Sequence, residues 1–338
     1  MQRATLPLLF VLLLLALVVG VGAGAYDLSI GELWVALTGR AGAMETFLVW
    51  QVRVPRLLLA VVVGGALAIT GAATQGLFRN PLAEPTLIGV TSGAMLFAAG
   101  TLVLSNQWMQ SFPAWAQQLS VSIAAFIGAL LTTGIVYRLA ASRGKINVAT
   151  LLLAGIAIAA LAGAGTGLLV YQSSESELRD PTFWSLGSLG GANWQQVGFA
   201  LPIVVAGSYF LQRDALALNA FLLGEREAAQ LGFAVDRVKR RVIIWVALIV
   251  GVCISLTGLI GFVGLIIPHL LRLWRGTDYR KLLLYSALLG ASFLLSADTL
   301  ARTMVAPAEL PIGILTALVG APFFLWLLLR QRRNSFFL

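Results

Sequence analysis

The chain has 338 residues, of which 59% are hydrophobic and only 11% are charged, and its mean hydropathy is +0.90. A soluble domain carries about a quarter charged residues to keep its surface hydrated, so this composition excludes an ordinary soluble enzyme. It also excludes intrinsic disorder, which requires low hydrophobicity. The apolar residues form blocks of about 20, the length that spans a bilayer core roughly 30 Å thick. The composition therefore predicts a polytopic membrane protein.

Ten apolar blocks separated by polar breaks predict ten transmembrane helices. In chain order they are residues 8–25, 57–78, 88–104, 119–137, 148–171, 197–212, 242–258, 259–271, 282–297 and 311–329. The seventh and eighth blocks are continuous, and we divide them at Thr257-Gly258 because about 30 residues is too long for one span. Backbone polar groups have no water partner in lipid and the alternating pattern of barrel strands is absent, so the spans must be helices. The expected fold is all-α, with about ten transmembrane helices in a single domain of residues 1–338.

The first block also has features of a cleaved signal peptide, because Arg3 precedes it and small residues end it. Removal of this segment would leave nine spans. The apolar core of a signal peptide is normally about 7–15 residues long, and the run from Leu8 to Ala25 is longer. We therefore expect this block to remain as the first span.

The distribution of charge predicts the orientation of the chain. With the N-terminus in the cytoplasm, 18 of the 23 Lys and Arg residues and 6 of the 14 acids fall on the cytoplasmic side. The two sides then carry +12 and −3, which together give the net charge of +9. Basic residues accumulate in cytoplasmic loops of membrane proteins. The positive charge therefore indicates topology rather than nucleic-acid binding, and we expect both termini to be cytoplasmic.

The sequence offers no energy source of its own. Gly144-Lys145 lacks the upstream glycine and the following Ser or Thr of a Walker A loop. No predicted span carries a carboxylate or lysine at mid-depth, where coupled transporters usually keep such groups. Asp298 and Glu309 come nearest, but both lie at the outer edges of the last two spans. If the chain transports actively, another subunit must supply the energy.

The longest cytoplasmic loop, residues 213–241, predicts two short amphipathic helices. Ala217, Leu218, Phe221 and Leu222 form an apolar face at helical spacing that Gly224 ends. Glu225 to Glu227 begin a second helix, and Gly232 ends it as a C-cap glycine would. Such helices dock into a partner's groove or lie as a solvated hairpin at the membrane surface. The pattern alone does not choose between these alternatives.

Three of the five arginines on the outer side lie where helices leave the membrane. Arg53 and Arg56 precede the second span, and Arg302 follows the ninth. Their side chains could snorkel to lipid headgroups. Alternatively, they could receive carboxylates of an outside partner, because arginine binds carboxylate through a bidentate fork. Charge and position suit both alternatives equally.

Metal and haem ligands are scarce. Cys253 is the single cysteine and His269 the single histidine, and neither could build a zinc site or a pair of axial haem ligands alone. His269 follows Pro268 near the inner end of the eighth span, where a packing role is the simpler interpretation. Glycines within spans, such as Gly64-Gly65, Gly71 and the series Gly163 to Gly167, allow close helix packing.

Several motifs, in order and spacing, resemble the iron-chelate, haem and vitamin B12 permeases of type II ABC importers. The resemblance covers essentially the whole chain. Its motifs are Arg53-Val54-Pro55-Arg56, Gly64-Gly65-Ala66-Leu67-Ala68, Gln75-Gly76-Leu77-Phe78-Arg79-Asn80-Pro81-Leu82-Ala83-Glu84-Pro85, Gly261-Phe262-Val263-Gly264 to Pro268-His269, Ala297-Asp298 with Ala301-Arg302, and Glu309-Leu310-Pro311-Ile312-Gly313.

The resemblance implies a permease subunit that pairs around one translocation path. A soluble periplasmic binding protein would dock on Arg53, Arg56 and Arg302. Two copies of a cytoplasmic ATPase would bind the chain's loop helices at Leu218, Phe221, Leu222, Leu223, Gly224, Glu225, Ala228, Leu231 and Gly232. Candidate pathway or gating residues are Asn80, Pro81, Gly163, Gly167, Pro268 and His269. A short periplasmic helix is expected at about 175–191.

The expected function is therefore import of haem or a related iron chelate across a bacterial inner membrane, without catalysis by this chain. ATP and magnesium would be bound by the ATPase, and this chain would bind no cofactor or metal. Its further partners would be a second, identical permease and membrane lipid. The segments Leu152 to Ala157 and Leu178 to Gly191 look most like haem permeases, but Ala159 or Ala160 stands where haem permeases often have asparagine. A ferric siderophore or vitamin B12 remains an alternative substrate, and a self-contained secondary transporter is the alternative of a different class.

Overall fold

Within the described residues, each of the ten predicted spans contains a helix of 13 or more residues, here called a long helix. A computed structural model describes residues 5–24, 29–108, 113–142, 144–173 and 179–335. The ten long helices are α1 (Thr5–Gly22), α4 (Val54–Phe78), α5 (Val90–Trp108), α6 (Ala114–Ala140), α7 (Val148–Tyr171), α9 (Trp194–Arg213), α12 (Val235–Thr257), α13 (Val263–Arg275), α14 (Tyr279–Thr303) and α15 (Ile312–Ser335). The all-α fold class is confirmed.

Short elements connect these helices. They are α2 (Ile30–Leu37), α3 (Ala43–Phe47), a π-helical turn at Leu48–Arg53, a 3₁₀ turn at Pro85–Ile88, β1 (Ala141–Ser142), β2 (Lys145–Ile146), α8 (Arg179–Ser185), α10 (Ala215–Phe221) and α11 (Glu225–Gln230). β1 and β2 pair in antiparallel register, with Ala141 opposite Ile146. In the expected short-helix region at 175–191, α8 is present, while residues 175–178 lie outside the described residues.

Six segments of the described chain are long and apolar enough to cross a membrane. They are 5–22, 43–78, 119–140, 148–171, 235–257 and 279–303, and shorter apolar stretches occupy 90–104 and 312–327. Several helices run beyond their apolar block, because charged ends extend the same helix. Thus α14 continues to Thr303, past the predicted end at residue 297, and carries Asp298 and Arg302 within it.

Helix α4 is the centre of the bundle. It is buried along nearly its whole length and packs against α14, α13, α12, α9 and α1. Glycines allow this approach: a Cβ at Gly71 would lie 1.9 Å from the carbonyl oxygen of Gly264, and one at Gly64 would lie 2.4 Å from that of Gly290. Close backbone approach of this kind holds helices together where lipid supplies no hydrophobic drive. Helices α5, α6 and α7 form a second group that joins the first through α12.

The eighth predicted span is shorter and begins later than expected. Helix α12 ends at Thr257, as predicted, but residues 258–262 are not helical and α13 begins only at Val263. Gly258 has φ +70° and Phe262 has φ +68°, and both conformations interrupt a right-handed helix. With 13 residues, α13 is about 20 Å long, less than the thickness of a bilayer core. The apolar pattern could not reveal this, because buried non-helical backbone is as apolar as a helix.

Candidate functional site: the two ends of the helix bundle

One end of the bundle holds a buried cluster of charges, here called the arginine cluster: Arg53, Arg56, Asp298, Arg302 and Glu309. Helices α4 and α14 pack side by side in opposite directions, which places the start of α4 beside the end of α14. Arg56 Nε donates to both carboxylate oxygens of Asp298, at 3.1 and 3.0 Å, and its Nη2 donates to Oδ1 at 2.9 Å. Its Nη1 donates to Oε1 of Glu309 at 2.7 Å. Arg56 therefore holds two carboxylates of its own chain.

The other two arginines bind the end of α1. Arg53 Nη1 donates to the carbonyl oxygens of Val21 and Gly22, at 2.6 and 3.0 Å. Arg302 Nη2 donates to the carbonyl oxygen of Gly20, and its Nε lies 3.8 Å from Asp298 Oδ2. The last carbonyls of a helix have no partner within the helix and carry partial negative charge. These two arginines therefore fix α1 against α4 and α14.

The arginine cluster is more enclosed than the sequence suggested. Arg53, Arg56 and Arg302 are only 4%, 7% and 6% exposed, so their side chains pack within the chain rather than extending along its surface. Asp298, expected at the edge of a span, lies inside α14 and is 1% exposed. Helix α14 continues five residues beyond Asp298, because the helix is longer than its apolar block. Glu309 is the exposed member, with 43% of its side chain accessible.

The opposite end holds loop 213–241, where both predicted short helices are present as α10 and α11. Gly224, with φ +130°, separates them, and Gly232, with φ +90°, follows the second. Because α14 runs from Tyr279 near this loop to Arg302 in the arginine cluster, the two ends lie about 35 Å apart at 1.5 Å per residue.

Helix α12 begins at Val235, earlier than predicted, and the preceding part of loop 213–241, residues 214–234, is fixed to it by charged side chains. Asp214, just before α10, is paired with Arg241 of α12. Glu225, the first residue of α11, lies 2.6 Å from Lys239 Nζ. Lys239 is 2% exposed and also donates to the carbonyl oxygen of Ile146 at 2.9 Å. These contacts fix the loop against the start of α12.

A third tie involves a residue that the sequence analysis did not select. Asn219 of α10 donates from Nδ2 to Asp278 Oδ1 at 2.8 Å and accepts from the backbone N–H of Tyr279 at 2.8 Å. Asp278 caps α14, and its hydrogen bonds with Arg280 and Asn219 lower its pKa to about 2. The sequence did not predict this contact, because Asn219 is an ordinary residue of a short amphipathic helix and its partner is 59 residues away.

The apolar residues of the loop fall into two groups. Leu218, Phe221 and Ala228 are at most 1% exposed and pack into the bundle. Leu222, Leu223 and Leu231 are 45%, 68% and 62% exposed. Only the second group is available to a partner. Docking of a partner on this loop stays a prediction.

The carboxylate of Glu84, to which the sequence analysis gave no individual role, contacts the start of a helix. Glu84 lies between the second and third predicted spans, and its Oε1 accepts from the N–H of Phe262 at 3.3 Å. Glu84 also borders a small internal cavity with Leu67, Ile254 and Gly264. It thereby meets the start of α13, where helix N–H groups have no partner within the helix.

The six candidate pathway residues lie on three separate elements. Asn80 and Pro81 are exposed just after α4, and Asn80 Oδ1 accepts from the N–H of Leu82 at 2.9 Å. Gly163 and Gly167 are exposed on α7, and a Cβ at either would meet nothing within 4 Å. Pro268 and His269 are buried in α13, and the His269 ring lies 6.0 Å from that of Phe323 on α15. A pathway role for these residues stays a prediction.

Within the described residues, no group of three His, Cys, Asp or Glu side chains is placed to hold a metal ion. Cys253 is buried in α12.

Comparison with known proteins shows similarity over the whole length of the chain. The hemin transport system permease protein HmuU of Yersinia pestis is 45% identical over 334 residues, covering 98% of this chain and 97% of that protein. The vitamin B12 import system permease protein BtuC of Citrobacter koseri is 40% identical, covering 96% and 94%. A solved inward-facing structure, assigned to the metal-chelate type of ABC transporter, superimposes with a TM-score of 0.85 at 32% identity. It covers 98% of this chain and 100% of its own.

The helical bundle and these likenesses define the class of the protein: it is a multi-pass membrane permease of an ABC transporter. More narrowly, the chain belongs to the FecCD transport family, whose model matches residues 11–330.

Proposed function

We propose that this chain is the permease of an ATP-driven importer that moves haem, or a related iron chelate, across the bacterial inner membrane into the cytoplasm. The observation that carries the proposal is the 45% identity to a hemin permease over 98% of the chain. The positive-inside distribution supports an orientation with loop 213–241 in the cytoplasm and the arginine cluster outside. Two such chains would enclose the pathway, with lipid around them.

The chain itself supplies no energy in this proposal. Two copies of an ATPase, with their ATP and magnesium, bind the loops at the cytoplasmic ends of the two permeases. The exposed residues Leu222, Leu223 and Leu231 offer the apolar contact. The ties through Asp214, Asn219 and Glu225 then pass motion of the ATPase into α12 and α14. Ligand and ATP shift the population between outward-open and inward-open states because they bind those states with different affinities.

A periplasmic binding protein docks on the arginine cluster in this proposal. Each nitrogen of Arg56 already donates to a carboxylate of this chain, and we expect an incoming carboxylate to compete with one of these partners. Asp298 is enclosed, whereas Glu309 is exposed. We therefore expect docking to displace Glu309 from Arg56 by exchange of one carboxylate for another. Because Glu309 lies three residues before α15, the exchange also frees the connection to that helix.

Vitamin B12 is the second candidate substrate, and the observation that favours it is the 40% identity to vitamin B12 permeases over most of the chain. The deciding experiment reconstitutes the permease with its ATPase and binding protein in liposomes. Hydrolysis of ATP and uptake are then measured with haem, ferric siderophores and cobalamin in turn. We expect haem to stimulate both. Stimulation by cobalamin alone would transfer the proposal to vitamin B12.

The same liposomes distinguish the transporter class. Uptake driven by an ion gradient, through the permease alone and without ATP, would show a secondary transporter instead. The described spans offer few buried carboxylates for such coupling, and Asp298 is already paired with Arg56.

A further inference from the structure

A cavity of about 750 Å³ opens beside loop 213–241, and the proposed function assigns no role to it. Its walls come from the hairpin of β1 and β2, the starts of α7 and α12, and α11. The charged side chains that line it are Arg79, Lys145, Glu225, Arg226, Asp236 and Lys239. Four of these are basic and two are acidic, so the lining carries a net charge of +2.

Both acids, and one of the bases, are already engaged within the chain. Glu225 is paired with Lys239, and Asp236 Oδ1 accepts from the N–H of Ile146 at 2.9 Å. The other three basic side chains, Arg79, Lys145 and Arg226, are exposed. Within the described part of the chain they make no ion pair or side-chain hydrogen bond. The cavity therefore presents three unpaired cations around walls that also include Val148, Ala149 and Val235.

The position of the cavity indicates its occupant. Arg226 and Ala229 of α11 form one wall, and the exposed Leu231 follows that helix directly. The cavity thus adjoins α11, which belongs to the loop on which the ATPase is proposed to dock. A partner bound to this loop would lie next to the cavity.

We propose that the cavity receives an acidic side chain of the ATPase, so that docking combines apolar contact on the loop leucines with a carboxylate held by Lys145, Arg226 and Arg79. This inference rests on the proposed function, because it presupposes the ATPase. The chemistry follows from charge complementarity: Arg and Lys donors around a carboxylate form charge-assisted hydrogen bonds. Such contacts contribute to the choice of partner and to the rate of association.

The test measures binding of the purified cognate ATPase to the permease in lipid-free detergent, over a range of NaCl concentrations. Lys145→Glu and Arg226→Glu are compared with Arg138→Glu. Arg138 is an exposed residue in the last turn of α6, at the same end of the bundle, and it does not line the cavity. We expect each cavity variant to raise the Kd about tenfold at low salt, and the difference to shrink as salt screens the charges. Arg138→Glu should change the Kd much less.

The outcomes separate this inference from the function on which it rests. Unchanged binding by both cavity variants, or an equal loss of binding in Arg138→Glu, would overturn the proposed role of the cavity but leave the proposed importer function unaffected. Wild-type permease that binds no ATPase overturns both. An effect that appears only after phosphatidylglycerol is added assigns the cavity to a lipid headgroup and overturns the proposal.

Two further variants guard against misfolding and identify the partner group. Lys145→Gln and Arg226→Gln remove the charge without reversing it, and they should weaken binding less than the Glu variants, with the same salt dependence. Replacement of the interacting acid of the ATPase by lysine should restore binding to Arg226→Glu. Failure of every acid-to-lysine change on the docking face of the ATPase to do so would contradict the proposal.

Discussion

Arg56 holds Glu309 at 2.7 Å across 253 residues of sequence, and Glu309 is the exposed carboxylate of the arginine cluster. The same guanidinium binds Asp298, which is enclosed. Arg56 therefore has one fixed partner and one accessible partner. A carboxylate of a docking protein would therefore approach an arginine that already binds carboxylates of this chain.

The Glu309→Gln variant tests this exchange. Loss of the charge weakens the hold on Arg56, so the binding protein should dock about two- to fivefold more tightly, which corresponds to the strength of a partly exposed ion pair. Binding of the purified binding protein to permease in nanodiscs, measured at low and high salt, gives the comparison. Glu45→Gln, a change of the same charge in α3 before the cluster, should leave the affinity nearly unchanged. Weaker docking in Glu309→Gln would mean that Glu309 assists the partner instead of competing with it.

Asp298 has a different role, which Asp298→Asn exposes. This carboxylate is 1% exposed, binds Arg56 through two oxygens and lies 3.8 Å from Arg302. Removal of one partner from a buried ion pair destabilises a protein by about 3–5 kcal/mol. Glu309 still compensates part of the charge of Arg56, so we expect a loss near the lower end of this range. Thermal unfolding in detergent should show the loss. The exposed residue Asp180 provides the control, since Asp180→Asn should fall within about 0.5 kcal/mol of wild type.

The sequence predicted the helices well because an apolar block that crosses a bilayer core must be about 20 residues long. It also predicted the end of α12 at Thr257, since about 30 apolar residues exceed one span. It did not predict that Asp298 pairs with Arg56, 242 residues away, or that Glu84 meets Phe262, 178 residues away. Such pairs depend on how α4, α13 and α14 pack. Local sequence patterns do not show which residues of two packed helices lie opposite each other. The sequence did offer one indication of such pairs. Acidic residues are rare near the apolar blocks, and ionisable groups in membranes tend to pair with one another.

The packing of α4 can be tested at Gly71. A Cβ there would lie 1.9 Å from the carbonyl oxygen of Gly264, so Gly71→Ala must push α13 away from α4. Overpacking of this kind destabilises by about 1–3 kcal/mol, and the variant should unfold at lower temperature. Gly134→Ala is the matched control, because a Cβ in that part of α6 would meet nothing within 4 Å. Equal stability of the two variants would show that the α4–α13 contact is looser than described.

Asn219→Ala tests whether the tie between α10 and α14 transmits motion. The substitution removes the hydrogen bonds to Asp278 and to the N–H of Tyr279, while Leu222 and Leu223 remain available to the ATPase. We therefore expect ATP hydrolysis to continue while transport per ATP falls several-fold. Gln230→Ala, an exposed change in α11, should keep the wild-type ratio. An equal fall of hydrolysis and transport in Asn219→Ala would indicate lost docking rather than lost transmission.

The pKa of Asp278 is lowered from 3.8 to about 2, so its stabilising contribution is present above about pH 4 and is lost only as the pH falls through 2. The ratio of transport to ATP hydrolysis should accordingly show no titration by Asp278 between about pH 5 and 8.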